Sequence, residues 1–325
     1  MTLDLRQETP ATRLQGLIEN VERVIVGKRE AVTLCVVGML SEGHVLLEDV
    51  PGTGKTTLAR ALARSVDLAF RRVQFTSDLL PADVLGVSVF SAAEERFVFR
   101  PGPIFGGIVL ADELNRTTPR TQSALLECMN ERRVSVDGET HELPRPFLVV
   151  ATQNPLEFEG TYPLPESQLD RFLLRVRMGY PERDDERQVL RSRMQRDPID
   201  DIAAVMTRDE ILAAIAAVRR VRIHGSLVEY VLEFLEATRR DGRFLLGASP
   251  RAGLGWVRAA QALASIEGRA FCVPDDFKRL ALPVLAHRVV SSPAAGGALG
   301  DGDGGEAREG EDGLVDLLES LPVPS

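Results

Sequence analysis

Aromatic residues are scarce: they make up 5% of the 325 residues, with a single tryptophan, so any core must be assembled mainly from Leu, Val, Ile and Ala. Cys35, Cys128 and Cys272 are far apart and odd in number. That spacing excludes a disulfide frame and a C-x-x-C zinc site, and fits buried thiols in a reducing compartment. The four histidines (His44, His141, His224 and His287) show no metal-ligand spacing. There is no basic excess either: 39 Lys and Arg stand against 48 Asp and Glu, for a net charge of −9. A general nucleic-acid binder would carry a basic face, so nucleic acid is not the expected partner. No stretch approaches the apolar length of a membrane span. Met1 to Glu8 lacks the charged and apolar regions of a signal peptide. No internal repeat is visible. The expectation is a soluble, cytoplasmic protein with no membrane span, long enough for a sizeable core and two domains.

What the chain does have is a stretch from His44 to Thr57. Val45 to Leu47 reads as a buried strand, Asp49 to Gly54 as a turn rich in Pro and Gly, and Lys55-Thr56-Thr57 opens the helical pattern Leu58 to Ala63. Strand, glycine turn, Lys-Thr and helix is the pattern of a phosphate-binding P-loop. Glycines let successive backbone N–H groups turn toward one anion, and the helix N-terminus adds its positive dipole end. Pro51, Gly52, Thr53, Gly54, Lys55, Thr56 and Thr57 are therefore the candidate nucleotide-binding residues, with Lys55 on the β- and γ-phosphates and the Thr56 hydroxyl on Mg²⁺. One position departs from the usual G-x-x-x-x-G-K-[ST] spacing: the first glycine is replaced by Asp49.

The second chemical landmark is Ile108-Val109-Leu110-Ala111-Asp112-Glu113, an apolar strand running into two acids. Ligand sites of α/β sheets lie at such strand ends. Asp112 is the candidate Mg²⁺ ligand and Glu113 the candidate base that polarises a water for attack on the γ-phosphate. A third buried strand, Phe147 to Thr152, ends in Gln153-Asn154-Pro155. If it neighbours the acid-bearing strand, Asn154 can orient that water. Two antiparallel hairpins are expected, one from Val87–Phe90 and Arg96–Phe99, the other over Arg133–Leu143 with an Asp-Gly turn. Thr117-Thr118-Pro119 reads as a capped helix start, and Val24 to Lys28 as a short apolar turn leading into a helix over Glu30 to Leu40, read first as helix packing.

Residues 1–10 read as a loose arm and 11–180 as the α/β nucleotide-binding domain. From 181 to 290 the pattern is helical only, which predicts a small all-α domain. Arg251 falls in the first turn of one of its helices, after Ser249-Pro250. A cation there opposes the helix dipole, so Arg251 is expected to answer to an anion. Residues 291–325 are rich in Gly and acids and read as a disordered tail, with Leu314 to Leu321 as a short docking helix. Arg171, in the short helix Glu166 to Phe172, has a local reading as a partner for Asp170 or another local acid.

Taken together, several segments resemble the MoxR family of AAA+ ATPases. They are Gln74-Phe75-Thr76 with Asp78-Leu79-Leu80-Pro81, Ala111-Asp112-Glu113-Leu114-Asn115-Arg116, Thr121 to Glu127, Ala151 to Pro155 and Leu169-Asp170-Arg171-Phe172. The resemblance runs from about Leu14 to His287. It implies a parallel sheet flanked by helices, a helical lid and a ring, expected to be hexameric, that binds ATP with Mg²⁺. By the same resemblance Asn154 matches the first sensor of the γ-phosphate and Arg251 the second, reaching from the lid. Arg171 matches the arginine finger supplied in trans, with Arg116 as competitor. A protein client, with a von Willebrand A-type partner, is implied in the same way. The leading expectation is ATP hydrolysis coupled to chaperone-like remodelling of a client. A chelatase-like metal-insertion motor, a nucleotide-gated scaffold and a nucleic-acid motor are the alternatives.

Overall fold

The computed structural model describes residues 9–154, 160–194, 197–292 and 303–324, with the side chains at 193 and 303–308 left aside. The loose arm expected before Thr9, Pro155 and the Gly-rich start of the tail (293–302) lie outside these residues. Two helices come first, α1 (Pro10–Glu22) and α2 (Arg29–Leu40). Then follow β1 (Val45–Glu48), α3 (Lys55–Ser65), β2 (Phe70–Gln74) and α4 (Pro81–Leu85). The hairpin β3 (Gly86–Ser91) and β4 (Arg96–Pro101) leads to β5 (Ile108–Asp112) and α5 (Pro119–Glu131). A second hairpin, β6 (Arg133–Val136) and β7 (Glu139–Glu142), precedes β8 (Leu148–Gln153), α6 (Glu166–Leu169) and β9 (Leu174–Val176). Its turn residues Asp137 and Gly138 have φ of 51° and 83°, the geometry that makes Asp-Gly a tight hairpin turn.

β1, β2, β5, β8 and β9 form one sheet in the order β2-β5-β8-β1-β9, with every adjacent pair parallel. Burial on both faces follows from the strand period of two. Val45, Leu47, Ile108, Leu110, Leu148 and Val150 join one core, which continues through α1–α3. Leu46, Val109, Ala111, Val149 and Ala151 join a second core, with Leu125, Leu126 and Met129 of α5.

The second half is α7 (Arg183–Arg193), α8 (Arg208–Val218), α9 (Gly225–Arg240), β10 (Phe244–Leu246), α10 (Pro250–Ile266), α11 (Pro274–Leu285), β11 (Val290–Ser291) and α12 (Asp303–Ser320). Thr207 and Glu210 form a reciprocal capping box at α8, and the Ser249 hydroxyl accepts the Ala252 N–H at 3.1 Å to start α10. Trp256 is fully buried and packs edge-on against Phe234 and Phe277 at centroid separations of 5.1 and 5.6 Å. These residues belong to the same core as α1–α3, so the helical half is fused to one face of the sheet.

Three expectations need correction. The helical half also holds the antiparallel pair β10–β11, whose partners are some 45 positions apart and leave no local turn signal. Thr118 starts α5 without a side-chain cap; its hydroxyl meets that of Thr121 at 3.4 Å instead. The tail carries a helix of 18 residues, α12, rather than disorder with a short docking segment. Leu314 and Leu317 are buried, one helical turn apart, and Glu311 pairs with Arg175 of β9 and with Arg177 just after it. An average over glycines and acids hides that spacing. Among the described residues no helix is long and apolar enough to cross a membrane.

Candidate active site

β1 delivers the chain into the loop Asp49–Gly54 at the carboxyl edge of the sheet. Gly52 and Gly54 take φ of +87° and +93°, which L side chains resist. Gly54 is the N-cap of α3, so the unspent N–H groups of the first turn face the loop. Lys55 Nζ donates to the carbonyls of Asp49 and Val50 at 2.6 and 2.9 Å. Ile25, in the turn between α1 and α2, closes on the loop: a Cβ on Gly54 would stand 3.9 Å from its Cδ1.

Asp49, the residue in place of the usual glycine, is 8% exposed and fully employed. Its Oδ1 accepts the Val50 N–H at 3.0 Å, and its Oδ2 accepts the N–H groups of Met178 and Gly179 at 2.8 and 2.7 Å. The departure from the motif is thus a tie between the phosphate loop and the segment leaving β9.

The acids of β5 lie one strand beyond β8 in the sheet. Asp112 is buried. Its Oδ1 accepts the Thr152 hydroxyl at 2.7 Å, and its Oδ2 accepts Arg72 Nη2 and Nε at 2.6 and 3.0 Å. The same Thr152 oxygen accepts the Glu113 N–H at 2.8 Å. Glu113 itself sits at φ 58°, ψ 50°, a left-handed conformation that costs a non-glycine residue about 1 kcal/mol or more and clusters at functional sites. Its Oε2 accepts Gln74 Nε2 at 2.7 Å and faces Arg116 Nε at 3.2 Å. Asn154, 7% exposed, follows the end of β8. The sheet order therefore brings the phosphate loop, Asp112, Glu113 and Asn154 to one edge.

Arg171 and Arg251 are not at that edge. Leu173, which precedes β9, donates its N–H to the His44 carbonyl at 2.8 Å, ahead of β1. Arg251 hydrogen-bonds Asn130 near the end of α5 and faces Asp170 Oδ2 at 3.9 Å. His44 to Asp49 is five strand steps, about 16 Å at roughly 3.3 Å per residue, so both arginines stand at the amino edge, away from the P-loop of their own chain. The anion that Arg251 answers to is Asp170. Asp170 also faces Arg288 Nε at 3.3 Å, and among the described residues no ion pair joins it to Arg171, against the local reading of that arginine. Burial lowers the Arg288 pKa to about 10, with Asp170 opposing that fall, so the guanidinium stays charged at neutral pH.

Several residues of this site carry no role in the sequence reading: Arg72, Gln74, Thr152 and Arg288. Gln74 lies in a matched motif, and Arg72 precedes it by two, hence on the same strand face. Thr152 in an apolar strand reads as packing.

Comparison with known proteins agrees with this geometry. A model described as the ATPase family associated with various cellular activities (AAA) matches residues 44–174, and one described as an AAA lid domain matches residues 236–303. The fold is thus that of the AAA ATPase family with its lid domain. The chain is 44% identical over 287 residues to Chaperone MoxR1 of Mycobacterium tuberculosis, covering 85% of this chain and 75% of that one. It is 50% identical over 289 residues to YeaC of Bacillus subtilis, covering 89% and 90%. A crystal structure of a protein from Cytophaga hutchinsonii superposes with a TM-score of 0.87 at 34% identity, covering 97% and 96%. The chain belongs to the MoxR family of AAA+ ATPases.

Proposed function

We propose that the chain is a Mg²⁺-dependent ATPase whose sites are shared between adjacent subunits of a cytoplasmic ring, hexameric by family resemblance. The observation that carries the reading is the split of the candidate machinery between two edges of one sheet. The loop, Asp112, Glu113 and Asn154 stand at one edge, Arg171 and Arg251 at the other. A head-to-tail contact brings one subunit's arginines to the next subunit's nucleotide, and such contacts close into rings.

The residues fit the group they would hold. The donors at the loop are N–H groups, an ammonium and a hydroxyl, and the buried carboxylate of Asp112 stands at the same edge, a hard-oxygen set of the kind Mg²⁺ takes alongside phosphate. Bound with Mg²⁺, ATP supplies the phosphoryl group that is transferred. Gly52, Thr53, Gly54 and Lys55 would hold the phosphates; Thr56 and Asp112 would be the metal's protein ligands, and Pro51 and Thr57 flank this cradle. Glu113 Oε accepts the proton of the attacking water, with Gln74 and Arg116 holding that carboxylate in place. Asn154 orients the water. Arg171 and Arg251 of the neighbouring subunit neutralise the charge that develops on the γ-phosphoryl group as it passes to water and ADP leaves. Arg116 is the poorer finger because it faces the Glu113 of its own chain at 3.2 Å. The output is remodelling of a protein client, in keeping with the chaperone named among the relatives, with a von Willebrand A-type partner as the family resemblance suggests.

Glu113→Gln tests the reading. Nucleotide binding is retained and phosphate release falls by about 10²–10⁴. Undiminished turnover in the variant contradicts Glu113 as the base. A wild-type chain that binds ATP without turnover contradicts the ATPase reading in favour of a nucleotide-gated scaffold.

A further inference from the structure

Arg288 follows α11 and is 7% exposed, with its side chain at 4%. Burying a guanidinium is costly unless it is well paired, and this one is paired unevenly. Nη2 donates to the Phe172 carbonyl at 2.7 Å and to the Asp170 carbonyl at 3.3 Å. Nε and Nη1 have no hydrogen-bond partner among the described residues. The preceding residue, His287, is 5% exposed and sets its Nε2 against the same Phe172 carbonyl at 2.9 Å. Two consecutive ionisable side chains from the end of the lid therefore converge on the backbone on either side of Arg171.

The Asp170 carboxylate completes the link, since its two oxygens face Arg288 at 3.3 Å and Arg251 at 3.9 Å. Gly255 of α10 makes the room: a Cβ there would come within 3.0 Å of Arg288 Nη1. For stability alone an apolar side chain would serve such a position as well or better. A planar guanidinium whose Nη2 bonds two carbonyls while its Nε faces the Asp170 carboxylate instead fixes the register of one segment against another.

The geometry points to Arg288 as a positioning residue that fastens the Arg171 segment to the base of the lid, so that Arg171 and Arg251 are presented to the neighbouring subunit as one unit. This rests on the shared-site reading above. Arg288 touches no phosphate in this account; it acts through Arg171. Movement of the lid in one subunit then resets the arginines at the next subunit's nucleotide.

The test uses the full chain with Arg288→Met and with Arg288→Lys, which keeps the charge but loses the planar group that spans the two carbonyls and the Asp170 carboxylate. If the first variant does not fold, the second is read alone. Each is assayed for Mg²⁺-ATP turnover and for binding of a fluorescent ATP analogue. Each is then mixed in equal amounts with Lys55→Ala, whose nucleotide site is disabled but whose arginine edge is intact. The expected result is unchanged nucleotide affinity and a turnover lowered by about tenfold to a hundredfold, the scale on which misplaced groups act. Mixing restores activity, as it does for Arg171→Ala. Wild-type turnover, or a loss that mixing does not relieve while it relieves Arg171→Ala, overturns the role of Arg288. An Arg171→Ala chain that turns over normally, or that mixing does not relieve, removes the shared site itself and the Arg288 role with it.

Discussion

Asp49 holds Gly179 by a hydrogen bond of 2.7 Å from the backbone N–H to Oδ2, and Met178 by another of 2.8 Å. The residue that breaks the P-loop consensus is thus the one that ties the loop to the strand end beside it. Asp49 is not among the residues of positive φ, so a glycine there would gain no conformation the loop needs. Asp49→Gly restores the usual motif and is expected to destabilise the fold by about 2–4 kcal/mol, because several N–H groups lose a charged acceptor. Urea unfolding measures this, and a variant as stable as the wild type contradicts it.

Thr152 is the joint between the two acids. Its hydroxyl donates to Asp112 at 2.7 Å and accepts from the Glu113 N–H at 2.8 Å. Thr152→Val keeps the shape and strips both bonds. The expected outcome is a stability loss of about 1–3 kcal/mol, from partners left unsatisfied, and a fall in turnover that exceeds any change in ATP affinity. Equal activity in the two chains contradicts the joint.

His44, just before β1, is buried with both ring nitrogens engaged, Nε2 on the Met129 carbonyl and Nδ1 accepting from the Val149 N–H, each at 3.0 Å. Burial lowers its pKa from 6.5 to about 4, against the Met129 bond and with help from Arg132. The native state therefore binds fewer protons than the unfolded one between these values, so stability falls as pH drops through that window and is complete above it. The contribution is about 3 kcal/mol. His287 is shifted in the same direction, chiefly by burial and then by Arg288. Unfolding free energies measured from pH 7 to pH 4 should show this slope, and it should be shallower in His44→Gln. A slope unchanged by the substitution assigns the acid sensitivity elsewhere.

Much of this molecule could be read from residues alone where the physics is local. Val45–Leu47, Ile108–Ala111 and Leu148–Ala151 are apolar runs bounded by turn and polar residues, and they became neighbouring buried strands. Lys55 and Gly54 declare their helix start by spacing. What escaped was set at long range. The end of the sheet that Arg251 faces depends on how the lid folds across α5, which no local pattern encodes. β10 and β11 pair over a long separation. Leu314 and Leu317 of α12 are diluted by glycines and acids, although their spacing is helical. Arg288 looks like an ordinary cation after a helix until the Phe172 carbonyl is placed beside it.

The most direct test of the central claim is specific Mg²⁺-ATPase activity as a function of protein concentration, for the wild type and for Arg171→Ala. Shared sites predict activity per subunit that rises with concentration to a plateau and collapses in the variant by about 10³-fold, the scale of a withdrawn arginine finger. Activity per subunit that is flat with concentration and indifferent to Arg171 would mean that each chain hydrolyses ATP alone, and would contradict the account.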